Sequence, residues 1–326
     1  MSAPDTSTTA SSASTAATAA SAAITAAAVG YAQYGPPDVL APIDIPVPAP
    51  GPGQVRIRVR AVAVNPIDAK LRSGSLSHVF AATFPVVPGW DVAGVVEAVG
   101  SGAAAKVGDS VFGVAAGAGY AEYALLDHPV PMPDGLSFSA AAALPTVGEA
   151  AYRTLKHLDV RAGETLVIVG AGGSVGTVAV QLAVSHGVHV IAVAAERDHA
   201  RLQQLGAETV EYGDGWRQRA AESAPRGVDA VLDVFGGGVL ADAVDLVGGA
   251  ARVITTADGT AGDHGVRFTG PDPADRFPEA LPVLARLAAT GELSLPIWRT
   301  YPLAEASRAH GDLEAHRSHG KIVLIP

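Results

Sequence analysis

Four glycines interrupt an uncharged segment of nineteen residues, LVIVGAGGSVGTVAVQLAV, at residues 166–184. A strand-like apolar run ends at Val169, and a helix-like apolar run follows the glycines. The spacing Ala171-x-Gly173-x-x-Gly176 is a variant of the dinucleotide fingerprint. Its glycines allow a sharp turn, the close approach of a pyrophosphate and tight packing of the helix, whose first amides face the anion. The segment predicts a dinucleotide site formed by Gly170, Ala171, Gly172, Gly173, Ser174, Val175 and Gly176.

Two other interpretations of this segment have to be weighed. A membrane-spanning helix needs about 20 uninterrupted apolar residues, and the central glycines argue against one. An ordinary glycine-rich turn between a strand and a helix is the stronger alternative, because a single fingerprint of this kind is weak evidence. Further strand patterns after residue 187 favour the dinucleotide site.

The residues after the next predicted strand indicate which dinucleotide binds. A carboxylate at the end of that strand would bind the ribose hydroxyls of NAD, but Ala194 and Ala195 occupy the position. Arg197 follows and can bind a 2′-phosphate. We therefore predict NADPH rather than NADH, with Ala194 and Arg197 in the site. A displaced ribose ligand at Glu196, or a merely solvated Arg197, is the alternative.

Strand and helix patterns alternate from about Ser139 onward, which predicts an α/β fold with a parallel sheet covered on both faces. The preceding part, from Ala28 to about Pro133, has short apolar runs broken by Gly and Pro and predicts a compact β-rich domain. The segment FPEALPVLARLAATG predicts a helix, and KIVLIP predicts a terminal strand. The catalytic or binding residues must therefore be positioned by two different domains.

Composition excludes several classes of site and partner. The chain of 326 residues has a net charge of −10, which argues against nucleic acid or an anionic membrane as the main partner. It has no cysteine, and hence neither disulfides nor thiolate zinc sites. Residues 1–27 are almost entirely Ala, Ser and Thr, without the basic residues of a targeting signal. We predict a disordered tail there and a cytoplasmic protein.

Most of the chain from Ala28 onward resembles the medium-chain dehydrogenase/reductase superfamily, and most closely its zinc-free quinone oxidoreductase and enone (alkenal) reductase branch. The resemblance implies a Rossmann dinucleotide-binding domain at residues 149–275, inserted in a β-rich GroES-like catalytic domain made of residues 28–148 and 276–326. The matching motifs, which flank the glycine segment in the expected order, are YGPPDVL, AVAVNPIDAKLRSG, PGWDVAGVVEAVGSG, KVGDSVFG, GYAEYALLD, ALPTVGEAAYRTL, LQQLGAE and HGKIVLIP.

The resemblance also implies that no catalytic metal is present. In zinc-dependent relatives a His and a Glu stand at the metal where this chain has Trp90 and Asp91. A catalytic zinc needs three protein ligands, and the usual cysteine ligand is missing too. Three histidines near the C-terminus could suggest another metal site, but we interpret them as ordinary surface histidines: His310, His316 and His319.

The activity that the resemblance implies is hydride transfer from NADPH to a quinone, or to the β-carbon of an enone, with a small molecule as partner and a homodimer as a possible assembly. Lys70 stands where many zinc-free relatives have a Tyr, and it is either an oxyanion donor or a plain surface lysine. Asn65 is a cleft residue or a turn residue. Asp68 pairs with Lys70 or caps a turn. Tyr34 and Tyr120 are predicted to line the pocket and Tyr123 to be core, and the catalytic candidates are Lys70, Asn65 and Tyr34.

Further coenzyme contacts follow from the same resemblance. Ala150 stands where relatives often have a Thr near the nicotinamide, and Thr146 can substitute for it one turn earlier. The fourth and fifth strands of the Rossmann domain should end at the coenzyme, which adds Phe235, Gly236, Thr255 and Thr256. Because the family Tyr and Thr are missing, an NADPH-binding sensor or structural protein without turnover is the alternative to an enzyme.

Overall fold

The computed structural model describes residues 24–270 and 272–326. Most of the predicted tail lies outside these residues, although its last three residues, 25–27, belong to the first strand. The strands are β1 Thr25–Gly30, β2 Ala41–Pro46, β3 Val55–Val64, β4 Asp91–Val99, β5 Ser110–Val114, β6 Tyr123–Leu126, β7 Val130–Pro131, β8 Thr165–Val169, β9 His189–Ala194, β10 Glu208–Glu211, β11 Ala230–Asp233, β12 Val253–Thr255, β13 Arg267–Phe268, β14 Ile297–Pro302 and β15 Lys321–Ile325. The α-helices are α1 Pro66–Ser73, α2 Phe138–Ala142, α3 Pro145–Leu158, α4 Ser174–Ser185, α5 Glu196–Gln204, α6 Trp216–Ser223, α7 Leu240–Val247, α8 Ala280–Thr290 and α9 Ala306–Glu314.

Six parallel strands form a Rossmann sheet in the order β10-β9-β8-β11-β12-β13. This order corresponds to 3-2-1-4-5-6 and confirms the predicted α/β fold. Every residue of β8 and of β11 is buried, as expected for central strands of a sheet covered on both faces. The chain leaves β8 toward one side of the sheet and continues at β11 on the other side. The switch point between β8 and β11 therefore opens a crevice at their carboxyl ends.

The second sheet has seven strands and belongs to the GroES-like domain. Its order is β14-β15-β3-β4-β5-β7, and β6 also pairs with β3. Strand β3 alternates buried and accessible side chains in its first half and becomes wholly buried in its last four residues. The terminal strand β15 pairs antiparallel with this buried end, with Leu324 opposite Val62. The C-terminal segment thus returns to the domain that the N-terminal half builds.

Helix α3 lies where the two domains meet. The sequence pattern predicts one helix through residues 139–158, but the structure has α2 and then α3, with Pro145 in the first turn of α3, where its missing N–H costs nothing. Ser137 caps α2 by accepting a hydrogen bond from the amide of Ala140 at 3.2 Å. The predicted boundary between residues 148 and 149 falls inside α3, and this boundary stays a prediction. In the described ranges, no helix has both the length and the apolar character to span a bilayer.

Candidate functional site

The turn after β8 is packed so closely that two of its glycines have no room for a side chain. Gly170 has a φ of +87°, and a Cβ there would lie 2.8 Å from the Cβ of Phe235. At Gly176, the second residue after the start of α4, a Cβ would lie 2.5 Å from Cα of Ala171. Contacts this short do not occur in folded proteins, so packing of the turn alone requires glycine at both positions.

Gly173 differs from these two, because nothing within the protein requires it to be glycine. Its backbone is extended, with φ −73° and ψ 170°, and a Cβ would meet only the carbonyl oxygen of Gly170, at 3.4 Å. Gly173 is the exposed N-cap of α4, a position where Ser, Thr, Asp and Asn are usually preferred. The absence of a side chain keeps the space in front of the helix open.

The first turn of α4 presents unused hydrogen-bond donors to that space. The amide of Thr177 donates to the carbonyl oxygen of Gly173 at 2.8 Å, which closes the first turn. Within the described part of the chain, the amides of Ser174, Val175 and Gly176 have no acceptor, and no acidic side chain lies in this turn. Free amides at the positive end of a helix dipole suit a diphosphate. The turn therefore fits the pyrophosphate of a dinucleotide.

The ends of β11 and β12 are tied together by Asp233, a residue that the sequence analysis missed. One carboxylate oxygen accepts from the amides of Phe235 at 3.0 Å and Gly236 at 2.9 Å. The other accepts from the hydroxyl of Thr255 at 2.7 Å, so this hydroxyl is used inside the protein. Phe235 is 51% exposed, whereas Thr256 is half-buried. The sequence feature that could have revealed Asp233 is its position at the carboxyl end of a predicted central strand, where ligands of such sheets bind.

Side chains from the first turns of α5, which follows the neighbouring strand β9, reach the glycine turn. Ala194 is buried at the end of β9, while the Arg197 side chain is 62% exposed and its Nε lies 3.9 Å from Asp198. The sequence analysis missed Asp198, whose carboxylate would lie 2.5 Å from a Cβ on Gly172. Arg201 donates to Asp198 at 2.9 Å and to the carbonyl oxygen of Gly172 at 2.9 Å. Because Arg201 offsets the charge of Asp198, Arg197 carries the exposed positive charge here.

A buried polar cluster joins the GroES-like sheet to the first turn of α3. Asn65 is 1% exposed; its Nδ2 donates to Asp91 at 2.9 Å, and its Oδ1 accepts from Nζ of Lys321 at 2.5 Å. Asp91 also accepts from the hydroxyl of Thr146 at 2.7 Å and from its amide at 3.1 Å. Both ends of the Asn65 amide are thus held by buried partners. Asn65 is the N-cap of α1, and its side chain links Asp91 to Lys321. Its contact with a ligand stays a prediction.

Charge balance within this cluster opposes the cost of burial. Burial raises the pKa of Asp91, and the Lys321 ammonium together with hydrogen bonds from Thr146 and Asn65 acts in the opposite direction. Burial lowers the pKa of Lys321, and Asp91 and Asp68 oppose that shift. The amide of Asn65 bridges these two opposite charges. Opposite buried charges whose polar atoms are hydrogen-bonded are tolerated, whereas a single unpaired buried charge is not.

Asp68 caps a helix rather than pairing with Lys70. Its Oδ2 accepts from the backbone amide of Asn65 at 2.8 Å at the start of α1, and burial raises its pKa to about 7. The predictions that Tyr120 lines the pocket and that Tyr123 is core were wrong. Tyr120 is buried in the core, because its hydroxyl has polar partners there, and Tyr123 is half-buried with its hydroxyl 3.0 Å from Nη1 of Arg58.

Lys70 and Tyr34 both lie at α1, in a more accessible setting. Lys70 is exposed, and its ammonium has no hydrogen-bond or ion-pair partner within residues 24–270 and 272–326. Tyr34 is half-buried, packs its ring against Phe84 with centroids 5.0 Å apart, and accepts a 3.3 Å hydrogen bond from the amide of Ala82. An exposed ammonium and a half-buried phenol can both contact a small polar ligand, and the catalytic roles of both residues stay predictions.

Comparison with known proteins shows the family. A model described as the alcohol dehydrogenase GroES-like domain matches residues 51–135, and one described as zinc-binding dehydrogenase matches residues 205–324. The quinone oxidoreductase of Homo sapiens is 32% identical over 324 residues, which cover 91% of this chain and 97% of that protein. This chain belongs to the quinone oxidoreductase branch of the medium-chain dehydrogenase/reductase superfamily.

Two further proteins are similar to this chain over most of its length. The 2-methylene-furan-3-one reductase of Solanum lycopersicum is 32% identical over 317 residues, covering 92% of this chain and 79% of that protein. A mycobacterial protein solved in complex with NADPH has a TM-score of 0.79 and 28% identity, covering 92% of this chain and all of that chain. These similarities support a nicotinamide coenzyme for this protein.

Although one matching family model is named for zinc, the donor set of this chain is unlike a zinc site. In the described residues, no group of three or more His, Cys, Asp and Glu side chains is placed to hold a metal ion. Trp90 has no ligand atom for a metal, and Asp91 is committed to Thr146 and Asn65. The prediction of a surface histidine at position 310 was wrong, because α9 packs this face into the core of the GroES-like domain. The Nε2 atom of His310 lies 2.9 Å from the Tyr120 hydroxyl there.

Proposed function

We propose that this protein is an NADPH-dependent, zinc-independent oxidoreductase that transfers a hydride to a quinone or to the β-carbon of an α,β-unsaturated carbonyl. The observation that carries this proposal is the open turn before α4, where Gly173 leaves room for a ligand and three backbone amides lack acceptors. The names of the human and tomato relatives support a conjugated acceptor. Zinc independence rests on Trp90, on the committed carboxylate of Asp91 and on the absence of cysteine.

In this proposal the coenzyme lies along the carboxyl edge of the Rossmann sheet. The amides of Ser174, Val175 and Gly176 hold the pyrophosphate. Arg197 binds the 2′-phosphate as an exposed cation whose nearest carboxylate neighbour, Asp198, is already paired with Arg201. Support for NADPH comes from this charge arrangement and from the neighbour solved with NADPH. Phe235, Gly236, Thr256 and Thr146 border the remaining length of the site, as the sequence analysis proposed.

When bound, NADPH supplies the two electrons as a hydride. Negative charge then develops on the carbonyl oxygen of the acceptor, and Lys70 donates to that oxygen. A well-placed donor to an oxyanion can contribute about 3 kcal/mol to the barrier. After hydride transfer each acceptor needs one further proton, delivered by solvent or through the Tyr34 hydroxyl. An enone receives this proton at its α-carbon and becomes a saturated carbonyl, and a quinone receives it at an oxygen and becomes a hydroquinone. The acceptor thus gains two electrons and two protons in total, one of them carried by the hydride.

A coenzyme-binding protein without turnover is the second candidate. It is favoured by the exposure of Lys70, whose ammonium is not held toward the crevice by a partner in the described residues, and by Ala150 in place of the family Thr. Tight coenzyme binding without consumption of coenzyme would distinguish this candidate from the enzyme.

The test uses the full chain with NADPH and a panel of quinones and enones. We expect acceptor-dependent loss of the reduced-nicotinamide absorbance band and recovery of the reduced acceptor. Binding without consumption for every acceptor would select the second candidate, and no binding of either coenzyme would overturn the proposal.

We also propose a cytoplasmic location and a homodimer. Fractionation of cells and light scattering of the purified protein test these two proposals.

A further inference from the structure

Asp91 fixes the direction in which the Thr146 hydroxyl donates its hydrogen. Its Oδ1 accepts from that hydroxyl at 2.7 Å, and its Oδ2 accepts from the Thr146 amide and from Nδ2 of Asn65. An ionised carboxylate accepts hydrogen bonds and cannot donate them. Burial raises the pKa of Asp91, and the ammonium of Lys321 on the far side of Asn65 opposes that shift together with the hydrogen bonds from Thr146 and Asn65. The hydroxyl hydrogen of Thr146 is therefore committed to Asp91.

Thr146 lies at the same edge of the Rossmann sheet as the glycine turn. Helix α3 ends at Leu158, and β8 begins after a connection of six residues, 159–164. A connection this short brings the end of α3 to the start of β8, so the first turn of α3 lies at the opposite, carboxyl edge. Thr146 is half-buried there, and its hydroxyl oxygen accepts no hydrogen bond from any described residue.

We infer that Asp91 is a positioning residue that turns Thr146 into a hydrogen-bond acceptor for the carboxamide N–H of the nicotinamide. This inference rests on the proposed coenzyme. A hydroxyl whose hydrogen is held elsewhere has only lone pairs left to offer, and a carboxamide NH₂ is a donor that matches them. Holding the carboxamide sets the rotation of the ring, and with it the face from which the hydride leaves. Asn65 in turn holds Asp91, and Lys321 holds Asn65.

An analogue of the coenzyme in which an acetyl group replaces the carboxamide tests this contact, because it lacks the N–H donors. Calorimetry gives dissociation constants of the full chain for NADP⁺ and for its 3-acetylpyridine analogue, and the quantity of interest is their ratio. One neutral hydrogen bond is worth about a twofold to tenfold change in affinity. We expect Thr146→Val to reduce the preference for NADP⁺ by this factor and Thr146→Ser to retain it.

Thr154→Val provides the matched control on the same helix. The hydroxyl of Thr154 donates to carbonyl oxygens within α3, at 2.8 Å to Ala150 and 3.0 Å to Ala151. The same substitution there should leave the ratio unchanged. Affinity for the analogue should also be unchanged by Thr146→Val, since the analogue never makes the lost hydrogen bond. A merely structural role of Thr146 would instead weaken both ligands equally.

Asp91→Asn tests the positioning role itself. An amide in place of the carboxylate can donate to Thr146, so the hydroxyl hydrogen is released and can face the coenzyme. We expect the preference for NADP⁺ to fall as in Thr146→Val. If removing one partner of the buried charge pair prevents folding, the Val and Ser variants of Thr146 carry the test alone. An unchanged ratio in Thr146→Val overturns the inference and leaves the proposed function standing. Failure of the wild type to bind NADPH or NADP⁺ overturns the proposed function and this inference with it.

Discussion

The hydroxyl of Tyr120 lies 2.9 Å from Nε2 of His310, and both side chains are wholly buried. The same hydroxyl lies 3.5 Å from Oδ2 of Asp68, so a tyrosine bridges a buried imidazole and a buried carboxyl group. Burial lowers the pKa of His310 to about 3, and Arg72 acts in the same direction. Burial also raises the pKa of Asp68 to about 7, with Asp91 adding to the shift and Lys321 opposing it. The two shifts have opposite consequences for stability.

The pKa shifts of Asp68 and His310 change the free energy of unfolding in opposite directions as the pH falls. The raised pKa of Asp68 contributes stability that is complete below its unfolded pKa and is lost as the pH rises through about 7. The lowered pKa of His310 contributes stability that is complete above its unfolded pKa of 6.5 and is lost as the pH falls toward about 3. In the wild type the two slopes oppose each other between about pH 4 and pH 6.5.

We therefore expect His310→Gln to gain unfolding free energy as the pH falls from about 7 to about 4, and Asp68→Asn to lose it over the same window. Each slope is at most about 1.4 kcal/mol per pH unit. Urea unfolding at several pH values measures both slopes, and the difference between the two variants cancels the contributions of titratable groups that neither substitution affects. If the unfolding free energy changes with pH in the same direction in both variants, the pKa shifts given for Asp68 and His310 are wrong.

The sequence predicted the Rossmann domain well because its signals are local. The glycine turn, the apolar run of β8 and the helical spacing of α4 lie within about 20 consecutive residues. Elements with weak local patterns were missed. Strand β10 has four residues, of which only Val210 is buried, and α6 after it has few buried side chains. Neither element therefore shows a clear hydrophobic periodicity in the sequence.

The buried cluster at the domain junction was beyond sequence reasoning for a different reason. Thr146 lies 55 positions from Asp91, and Lys321 lies 256 positions from Asn65. Nothing in local spacing tells that these residues meet, since the return of β15 to β3 brings them together. Burial of Tyr120 and His310 was missed likewise, because each residue type is common both in pockets and in cores.

The difference between Gly173 and Gly176 gives a test that separates binding from folding. Gly173→Ala adds a methyl group with ordinary contacts inside the protein but in front of the free amides. We expect coenzyme affinity to fall by at least about tenfold, or about 1.4 kcal/mol, with the melting temperature unchanged. Gly176→Ala forces the backbone apart and should cost about 1–3 kcal/mol of stability. Calorimetric titration and thermal unfolding measure the two effects, and equal behaviour of the variants would argue against the site.

Coenzyme choice tests the role of Arg197. A hydrogen bond to a charged group is worth about 1.5–3 kcal/mol, so Arg197→Glu should weaken NADPH binding by about tenfold to hundredfold. NADH, which lacks the 2′-phosphate, should bind almost as before. Arg161→Glu is the matched control, because Arg161 is exposed in the loop before β8, at the edge of the sheet opposite the glycine turn. If both coenzymes lose affinity equally, Arg197 does not contact the 2′-phosphate.

Lys70 is tested by the separation of turnover from binding. Lys70→Met keeps the length of the side chain and removes the ammonium. Since the donor acts on charge that develops only during hydride transfer, we expect kcat to fall by about tenfold to hundredfold while coenzyme affinity is unchanged. Lys106→Met, at another exposed lysine in the turn before β5, should leave kcat unchanged. Stopped-flow recording of coenzyme oxidation in a single turnover measures the step directly. A normal single-turnover rate in Lys70→Met would show that the lysine is an ordinary surface residue, and the oxyanion would then need another donor at α1.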